Sequence, residues 1–528
     1  MPARLLRAQT RLLLALMVLA VVQMACARAD IPAPMPEVRP TDAVEPTRSS
    51  TELPTSAPAD ATQDPPMAAP TVTETPAAPE PVVSPTFPPT PTSQVGLSET
   101  ILYQAQPGET VRALAIRFGV VPEEISSPGA TIDGVNTLLD VDQLLLIPRR
   151  LANTGPSLKL IPDSEFVFSP HAADFDPEAA ALRFGGFLTR YNEEVYGEWR
   201  SGPEVVALAA RDNSVNPRFL MAMLEYVAGW VTRPDRPEGD AFLYPLGYKD
   251  PGTPGLYRQL TWLANAMGDG YYRWRSGSLT EVTLADGSRV RLAPELNAGT
   301  VAVQSYFASR RVLPDWEEAV GPNGFVRTYT DLFGDPWSFY HPLYQPGVEQ
   351  PEMILPFTAR KVWAFTGGPH GAWEREAAWA ALDFAPSTTQ SGCDVSPDWV
   401  VAASAGLVTR SEHGLLVLDL DGDGREETGW VMIYLHLAEE GRMPAGVLVE
   451  QGARLGHPSC EGGIATGSHV HIARKYNGEW ILADGPLAFT LSGWQARSGT
   501  RPYQGALVRG TETVLACPCA TAETLISR

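Results

Sequence analysis

A long proline-rich segment near the beginning of this chain limits where a folded core can form. Between Ile31 and Gln94 the sequence consists mainly of Pro, Thr, Ala and Ser, and it holds 17 of the 49 prolines without a sustained apolar period. A segment of this composition cannot bury enough apolar surface to offset the entropy lost on folding. We therefore predict a disordered, extended tether over residues 27–97 and folded domains only after it.

The residues before the tether have the pattern of a bacterial export signal. Three arginines precede an apolar run from Leu12 to Val22, which is too short for a permanent transmembrane helix. Cys26 resembles the lipid-modified cysteine of a bacterial lipoprotein, whereas Ala29 fits a simple cleavage site, and both outcomes stay open. Residues 1–26 therefore predict an extracellular or cell-envelope protein that contacts a membrane only through a lipid on Cys26.

The charge of the chain argues against one class of partner. Its formal net charge is −21, whereas binding to phosphate backbones requires clustered Lys and Arg. We therefore expect no nucleic acid partner and favour a neutral polymer outside the cell.

The cysteines predict one disulfide in the last part of the chain. Apart from Cys26, four cysteines remain, and four cysteines allow three pairings. We favour a bridge between Cys393 and Cys460, because a single residue between Cys517 and Cys519 makes a mutual bridge tight.

Residues 98–150 have the pattern of a small β-α-α-β unit. The stretch "ILYQAQ" alternates like a strand, "VRALAIRF" has helical spacing, and "QLLLIP" reads as a second strand. The block resembles a LysM domain through "YQAQPGETVRALAIRFGV", Asn136 and "LDVDQLLLIP". The resemblance implies binding to chains that contain N-acetylglucosamine, mainly those of peptidoglycan.

Residues 155–350 read as a mostly helical domain that is rich in aromatic residues. Its rings either fill a core or line a groove for sugars. The stretch "VNPRFLMAMLEYVAGW" resembles the helix of lysozyme-like lytic transglycosylases that ends in a catalytic glutamate, here Glu225. The resemblance implies that Glu225 acts as a general acid on glycan strands, although Tyr226 replaces the serine that usually follows.

From Ile354 onward the sequence consists of short alternating segments separated by glycine turns. This spacing predicts an antiparallel β-sandwich or open barrel over residues 351–495, and residues 496–528 are left as a C-terminal tail. The chain as a whole is therefore expected to be a multidomain α+β protein.

Four histidines and one aspartate in this region offer the ligand types of a catalytic zinc site. His469 and His471 lie two residues apart, so a strand would place both on one face. His370, Asp383 and His436 precede them on separate elements. A catalytic zinc ion needs three protein ligands and one open position for water.

The same residues resemble the lysostaphin-type zinc metallopeptidases, within them the β-lytic branch. The resemblance rests on "AFTGGPH", "ALDFA", "YLHLA", "GHPSCEGGIATGSHVHIA" and "NGEW". It implies that His370, Asp383 and His471 bind Zn²⁺, while His469 and His436 serve as base and transition-state stabiliser.

One acidic stretch has two readings. "DLDGDGREE" resembles the start of a calcium loop through Asp419, Asp421 and Asp423, but Trp430 stands where an EF-hand needs a glutamate. We favour a solvated hairpin tip.

Three hypotheses for the function follow. The first is a secreted or surface-anchored peptidoglycan endopeptidase that hydrolyses peptide cross-links with zinc-activated water. The second is a catalytically silent scaffold that binds the wall. The third is a bifunctional enzyme that also cleaves glycan strands through Glu225.

Overall fold

The computed structural model describes residues 100–373, 378–387, 392–519 and 521–528. The predicted export signal and tether lie outside these residues. Residues Ser98–Arg528 form one compact unit. Within the described part of the chain, no helix is both long enough and apolar enough to cross a membrane.

The helices lie in the first two thirds of the described chain. They are α1 Val111–Phe118, α2 Asp163–Phe166, α3 Pro177–Phe184, α4 Gly202–Asn213, α5 Pro217–Ala228, α6 Asp240–Leu243, α7 Leu256–Arg275, α8 Ala298–Ala308, α9 Leu313–Ala319 and α10 Phe325–Phe333. Short 3₁₀ turns lie at Pro122–Glu124, Pro170–Ala172, Phe187–Arg190 and Pro336–Phe339.

Most strands follow the helices. The strands are β1 Thr100–Gln104, β2 Leu144–Pro148, β3 Asn192–Val195, β4 Glu198–Ser201, β5 Glu281–Thr283, β6 Arg289–Arg291, β7 Val362–Gly371, β8 Trp379–Pro386, β9 Val400–Val401, β10 Gly406–Glu412, β11 Leu415–Asp419, β12 Trp430–Leu435, β13 Leu448–Val449, β14 Arg454–Gly456, β15 Val470–Tyr476, β16 Glu479–Trp480, β17 Thr490–Leu491, β18 Trp494–Ser498, β19 Gly505–Arg509, β20 Glu512–Leu515 and β21 Leu525–Ser527.

The first block pairs β1 with β2 in antiparallel fashion around α1. The Thr110 side chain accepts a hydrogen bond from Ala113 and begins α1, and Gly119 ends it in the left-handed conformation. The second helix that the sequence predicts is only the 3₁₀ turn Pro122–Glu124. None of the side chains of this turn is buried, so no packing contact stabilises a longer helix here.

The helical region between β2 and β7 has a core that is rich in aromatic residues. Trp230, Tyr271, Trp274 and Trp316 are each no more than 1% exposed. These rings therefore fill a core, which decides against the sugar groove for this group.

A nine-stranded antiparallel sheet forms the C-terminal part. Its strand order is β13-β10-β11-β12-β15-β8-β7-β21, and β16 pairs with β15. Met432 and Tyr434 on one face pack in a core with Trp494 and Leu507 of the separate sheet β17-β18-β19-β20. The described residues thus combine helices with layered antiparallel sheets, and these sheets do not close into a barrel.

The opposite face of the large sheet packs against the helical region. Val431 and Ile433 on β12 share one continuous core with the helices. Two buried ion pairs reinforce the contact, from Arg275 to Glu479 at 3.0 Å and from Arg410 to Asp212 at 2.6 Å.

Residues 496–528 are part of the fold, which corrects their assignment as a tail. They supply β19, β20 and β21, and β21 pairs with β7 in the large sheet. Leu507 and Ile526 are buried in the sheet core, so apolar packing holds the segment in place.

Candidate metal centre

Three neighbouring strands bring His370, Asp383 and His471 together. His471 on β15 lies opposite Asp383 on β8 in the strand register. Register shifts in β7 between Gly367 and His370 turn the histidine toward the same point. All three side chains are buried, on the sheet face that the helical region covers.

The three potential ligand atoms form a nearly equilateral triangle. The distance from His370 Nε2 to His471 Nδ1 is 3.0 Å. Asp383 Oδ1 lies 3.3 Å from His370 Nε2 and 3.2 Å from His471 Nδ1. A tetrahedral zinc ion with ligands at about 2.05 Å separates them by about 3.3 Å. The triangle therefore has the size that zinc requires.

Hydrogen bonds fix which imidazole nitrogen faces the triangle. His370 Nδ1 lies 2.8 Å from the carbonyl oxygen of Gly368, and His471 Nε2 lies 2.9 Å from that of Ala372. A carbonyl oxygen can only accept, so these two nitrogens carry the protons. His370 Nε2 and His471 Nδ1 therefore direct lone pairs into the triangle.

The unsatisfied groups in the triangle fit a cation. Among the described residues, the buried Asp383 Oδ1 has no hydrogen-bond donor. Two nitrogen lone pairs and a carboxylate oxygen facing one another repel unless a positive ion lies between them. Two imidazoles and one carboxylate are a ligand set that zinc accepts.

His436 and His469 lie beside the triangle. Their ring centroids are 4.5 Å apart, and His469 Nε2 is 3.8 Å from Asp383 Oδ1. His436 Nδ1 donates to the carbonyl of Glu461, and His469 Nδ1 donates to that of Gly467, both at 2.8 Å. Each Nε2 is therefore left with a lone pair near the triangle.

The five groups influence one another's ionisation. Burial raises the pKa of Asp383, but His370 and His469 outweigh it and hold that pKa well below its usual range. Burial lowers the pKa of His370, yet Asp383 raises it further, so the net shift is upward. For His471, burial dominates and lowers the pKa.

Burial also has a strong effect on His436. Burial, followed by the neighbouring His469 and His471, lowers its pKa from 6.5 to about 3. His436 is therefore neutral at pH 7, with no proton on Nε2. Its backbone has a φ of 66°, which a non-glycine residue rarely adopts, and such strain is concentrated at functional sites.

This shift predicts that acid destabilises the metal-free protein. His436 binds a proton more readily in the unfolded chain than in the folded one. Its contribution to the free energy of unfolding is therefore fully present above pH 6.5 and is lost as the pH falls toward 3. Between pH 7 and 5 we expect a loss of about 2 kcal/mol from this group. Urea unfolding of the chelated protein and its His436→Gln variant measures it. An equal loss in both proteins would contradict the prediction.

Only glycine fits at position 367, because the backbone there passes close to the Asp383 side chain. A Cβ at this position would lie 2.4 Å from Asp383 Oδ2. We expect Gly367→Ala to displace the carboxylate, at a cost of about 1–3 kcal/mol, and to weaken the binding of zinc. Gly456→Ala is the matched control, because its Cβ would meet its nearest atom at 3.5 Å. Full zinc content in Gly367→Ala would refute this packing argument.

A disulfide frames His436 and His469. Cys393 and Cys460 are bridged, as predicted. Ser459, next to Cys460, donates from its backbone N–H and its hydroxyl to the carbonyl of His436. The residue before His469 donates to the backbone carbonyls on either side of Cys393. The bridge thus ties together the loops that position both histidines.

The structure also joins Cys517 to Cys519, which corrects the prediction that this pair is too tight. The chain turns between them and brings their Cα atoms to 5.1 Å, within the usual disulfide range.

Sequence reasoning missed Tyr503. Its ring stacks on His370 with centroids 4.1 Å apart. The Tyr503 carbonyl accepts from Gly368, and its N–H donates to Pro369, so this loop is fixed against β7. The residue lies in the segment assigned to a tail, and no motif there marks it.

Glu225 is not part of this cluster. It lies near the end of α5, where its carboxylate accepts hydrogen bonds from the Val231 and Thr232 amides and the Thr232 hydroxyl. These contacts close the turn after the helix. The interpretation of Glu225 as a general acid stays a prediction.

A separate cluster of three aspartates lies at the hairpin tip between β11 and β12. Carboxylate oxygens of Asp419, Asp421 and Asp423 lie within 4.8 Å of one another. The buried Asp419 accepts hydrogen bonds from the amides of Asp421, Gly422 and Gly424. The Asp419 carboxylate therefore already accepts hydrogen bonds from backbone N–H groups of its own turn.

Comparison with known proteins gives one family match. Residues 159–346 match the family described as LasA, N-terminal domain. The match covers most of the helical region and does not support its resemblance to lytic transglycosylases. Among curated proteins, no sequence matches the chain.

Solved structures similar to this chain include peptidases. The M23 metalloprotease pseudoalterin, from the deep sea, is 22% identical, with 32% of this chain and 96% of that chain covered and a TM-score of 0.26. A zinc-containing peptidase from Vibrio cholerae is 18% identical, covering 26% and 41%, with a TM-score of 0.18. The catalytic domain of lysostaphin from Staphylococcus simulans is 20% identical, covering 23% and 87%, with a TM-score of 0.17.

Proposed function

We propose that this chain is a zinc-dependent endopeptidase that hydrolyses peptide cross-links of peptidoglycan outside the cytoplasm. The observation that carries the proposal is the triangle of His370 Nε2, Asp383 Oδ1 and His471 Nδ1, whose lone pairs converge at zinc-sized distances. These three residues would hold the ion. When bound there, zinc supplies Lewis-acid polarisation of the scissile carbonyl and acidifies an attacking water.

His469 is the first candidate for proton transfer. Its Nδ1–H is used by Gly467, so Nε2 can accept the proton that the attacking water loses. At 16% exposure of its side chain, it is more accessible to a substrate than His370 and His471. After protonation, Nε2–H can be donated to the leaving amine.

His436 has a complementary position on the same side of the cluster. Its Nδ1–H is held by Glu461, and the ring faces His469. With a proton taken up from solvent on Nε2, the ring could donate this N–H to the negative oxygen that develops in the transition state, whose charge would offset the low pKa of His436 in the free site. The strained backbone and the two bonds from Ser459 keep the ring in this position.

The proposed substrate follows from the rest of the chain. The LysM-like pattern of residues 98–150 favours binding to glycan strands of the cell wall. The export signal and the tether favour a location in the cell envelope or outside the cell. The alternative of a silent scaffold is less favoured, because every residue of the predicted set is present. In addition, each of the four histidines donates one ring N–H to a backbone carbonyl, which fixes the orientation of its ring.

Digestion of purified peptidoglycan tests the proposal. We expect fragments with new amino termini, and their disappearance when a chelator is added. New reducing ends instead would favour glycan cleavage through Glu225. Unchanged peptidoglycan together with binding to it would favour a scaffold.

A further inference from the structure

Two hairpin turns meet where the helical region contacts the large sheet. The hairpin of β3 and β4 turns at Tyr196 and Gly197, whose φ angles are 55° and 80°. The hairpin of β10 and β11 turns at His413 and Gly414, whose φ angles are 45° and 77°. A positive φ at both central residues is typical of tight two-residue hairpin turns. Each turn therefore has a defined shape that fixes the direction of its first side chain.

The ring of Tyr196 stacks on the ring of His413. The ring centroids are 5.1 Å apart and the planes are inclined by 25°, and rings at such a separation attract each other. The Tyr196 hydroxyl lies 2.7 Å from that of Tyr257, which itself donates to Asp212 at 2.8 Å. Asp212 in turn pairs with Arg410 on β10. The helical region thus holds the turn between β10 and β11 through one oriented ring.

The turn of His413 and Gly414 contacts both segments that hold His436. The Gly414 carbonyl accepts the backbone N–H of Leu437, the residue after His436. The Glu461 carbonyl accepts the Nδ1–H of His436. A Cβ on Gly414 would lie 2.6 Å from this same carbonyl oxygen. The turn therefore lies directly against the backbone acceptor that orients the His436 ring.

The loop that follows Glu461 packs against the turn and against His436. A Cβ on Gly462 would lie 2.4 Å from the His413 carbonyl oxygen, and a Cβ on Gly463 would lie 3.5 Å from His436 Cε1. No side chain of these two glycines separates the loop from its neighbours, so the backbones are in close contact. Because packed interiors leave little free space, a displacement of the turn shifts the loop and the His436 ring with it.

We propose that Tyr196 and His413 are positioning residues of the metal centre. Their stacked rings hold the turn that supports the backbone around His436 and the acceptor of its Nδ1–H. Neither residue belongs to the ligand triangle, so their effect on the reaction passes through His436. The proposal rests on the proposed function for its catalytic consequence, whereas the position of His436 can be measured without any substrate.

The first test is the kinetics of cleavage of a defined cross-linked peptide by the full chain. We expect Tyr196→Leu to lower kcat about tenfold and to change KM by less than about twofold, because it displaces a catalytic group and leaves the metal ligands in place. Tyr196→Phe keeps the ring and should recover most of the rate. Trp199→Leu is the matched control, since Trp199 lies on the same hairpin with 62% of its surface exposed and should cleave like the wild type when replaced.

His413→Asn tests the stack from the other side. Asparagine before glycine is favoured in this type of turn, so the backbone is kept while the ring is lost. We expect kcat to fall as it does in Tyr196→Leu. The double variant should lose no more than either single variant, because both substitutions remove the same contact. Losses that multiply in the double variant would overturn the assignment to one pair of rings.

Nuclear magnetic resonance of the full chain, isotope-labelled at its histidines, measures the position of His436 separately. The Nδ1–H signal of His436 is assigned by its absence in His436→Gln. In Tyr196→Leu this proton should exchange with solvent about tenfold faster, because the Glu461 carbonyl is held less firmly. Unchanged exchange would overturn the proposal, as would an unchanged or raised kcat of this variant in an active enzyme. If the wild type cleaves no peptide while the exchange rate responds, the positioning stands and the proposed function alone fails.

Discussion

His469→Ala should reduce peptide cleavage by about 10²- to 10⁴-fold, which is the usual contribution of a positioned general base. Binding to peptidoglycan should not change, because this histidine lies in the metal cluster and not in the LysM-like block. Zinc content should also be retained, because the ligand triangle consists of His370, Asp383 and His471. Cleavage of a defined cross-linked peptide, measured alongside zinc content, checks both expectations.

His457→Ala is the matched control for this substitution. His457 packs on Trp399 with ring centroids 3.8 Å apart, and its Nδ1 donates to the carbonyl of Asp398. It is not a member of the metal cluster, so its removal should leave the cleavage rate nearly unchanged. If His469→Ala retained wild-type cleavage, its assignment as the proton acceptor would be wrong.

Asp383→Asn should remove both zinc and activity. The amide has the shape of the carboxylate but lacks its charge, so it cannot balance a cation beside the two imidazoles. We expect bound zinc to fall from about one ion per chain to less than about a tenth of that, since metal affinity depends on the ionised ligand. Elemental analysis after dialysis against a weak chelator measures the loss.

Asp419→Asn distinguishes the two acidic groups in this experiment. Asp419 belongs to the hairpin tip, where an asparagine oxygen can still accept the hydrogen bonds from the Asp421 and Gly422 amides, whereas the bond from the Gly424 amide to the second oxygen is lost. We expect this variant to keep its zinc and its cleavage activity. Loss of zinc in Asp419→Asn, with zinc retained in Asp383→Asn, would place the metal in the hairpin tip.

The sequence was informative where one local rule determined the geometry. The two-residue spacing of His469 and His471 predicts that they share a strand face, and the structure places both beside Asp383. The predicted bridge between Cys393 and Cys460 is present, but the reason given for it was wrong, because Cys517 and Cys519 are bridged despite their short spacing.

The features of the fold and of the metal centre that the sequence did not predict depend on contacts between distant segments. Periodicity shows that a strand has two faces but not which one the helices cover, so the contact between the helical region and the metal-bearing face was not predicted. The stacking of Tyr503 on His370 joins residues far apart in sequence. The irregular register of β7, which turns His370 toward Asp383, likewise has no local signal.

Anomalous diffraction at the zinc edge, from crystals of the full chain, tests the central claim most directly. We predict one strong peak about 2.0–2.2 Å from each of His370 Nε2, an Asp383 carboxylate oxygen and His471 Nδ1. His436 and His469 should lie outside this distance, with their Nδ1 atoms on backbone carbonyls. A peak at the hairpin tip of Asp419, or full cleavage activity in crystals and solution without any zinc peak at the triangle, would contradict the account.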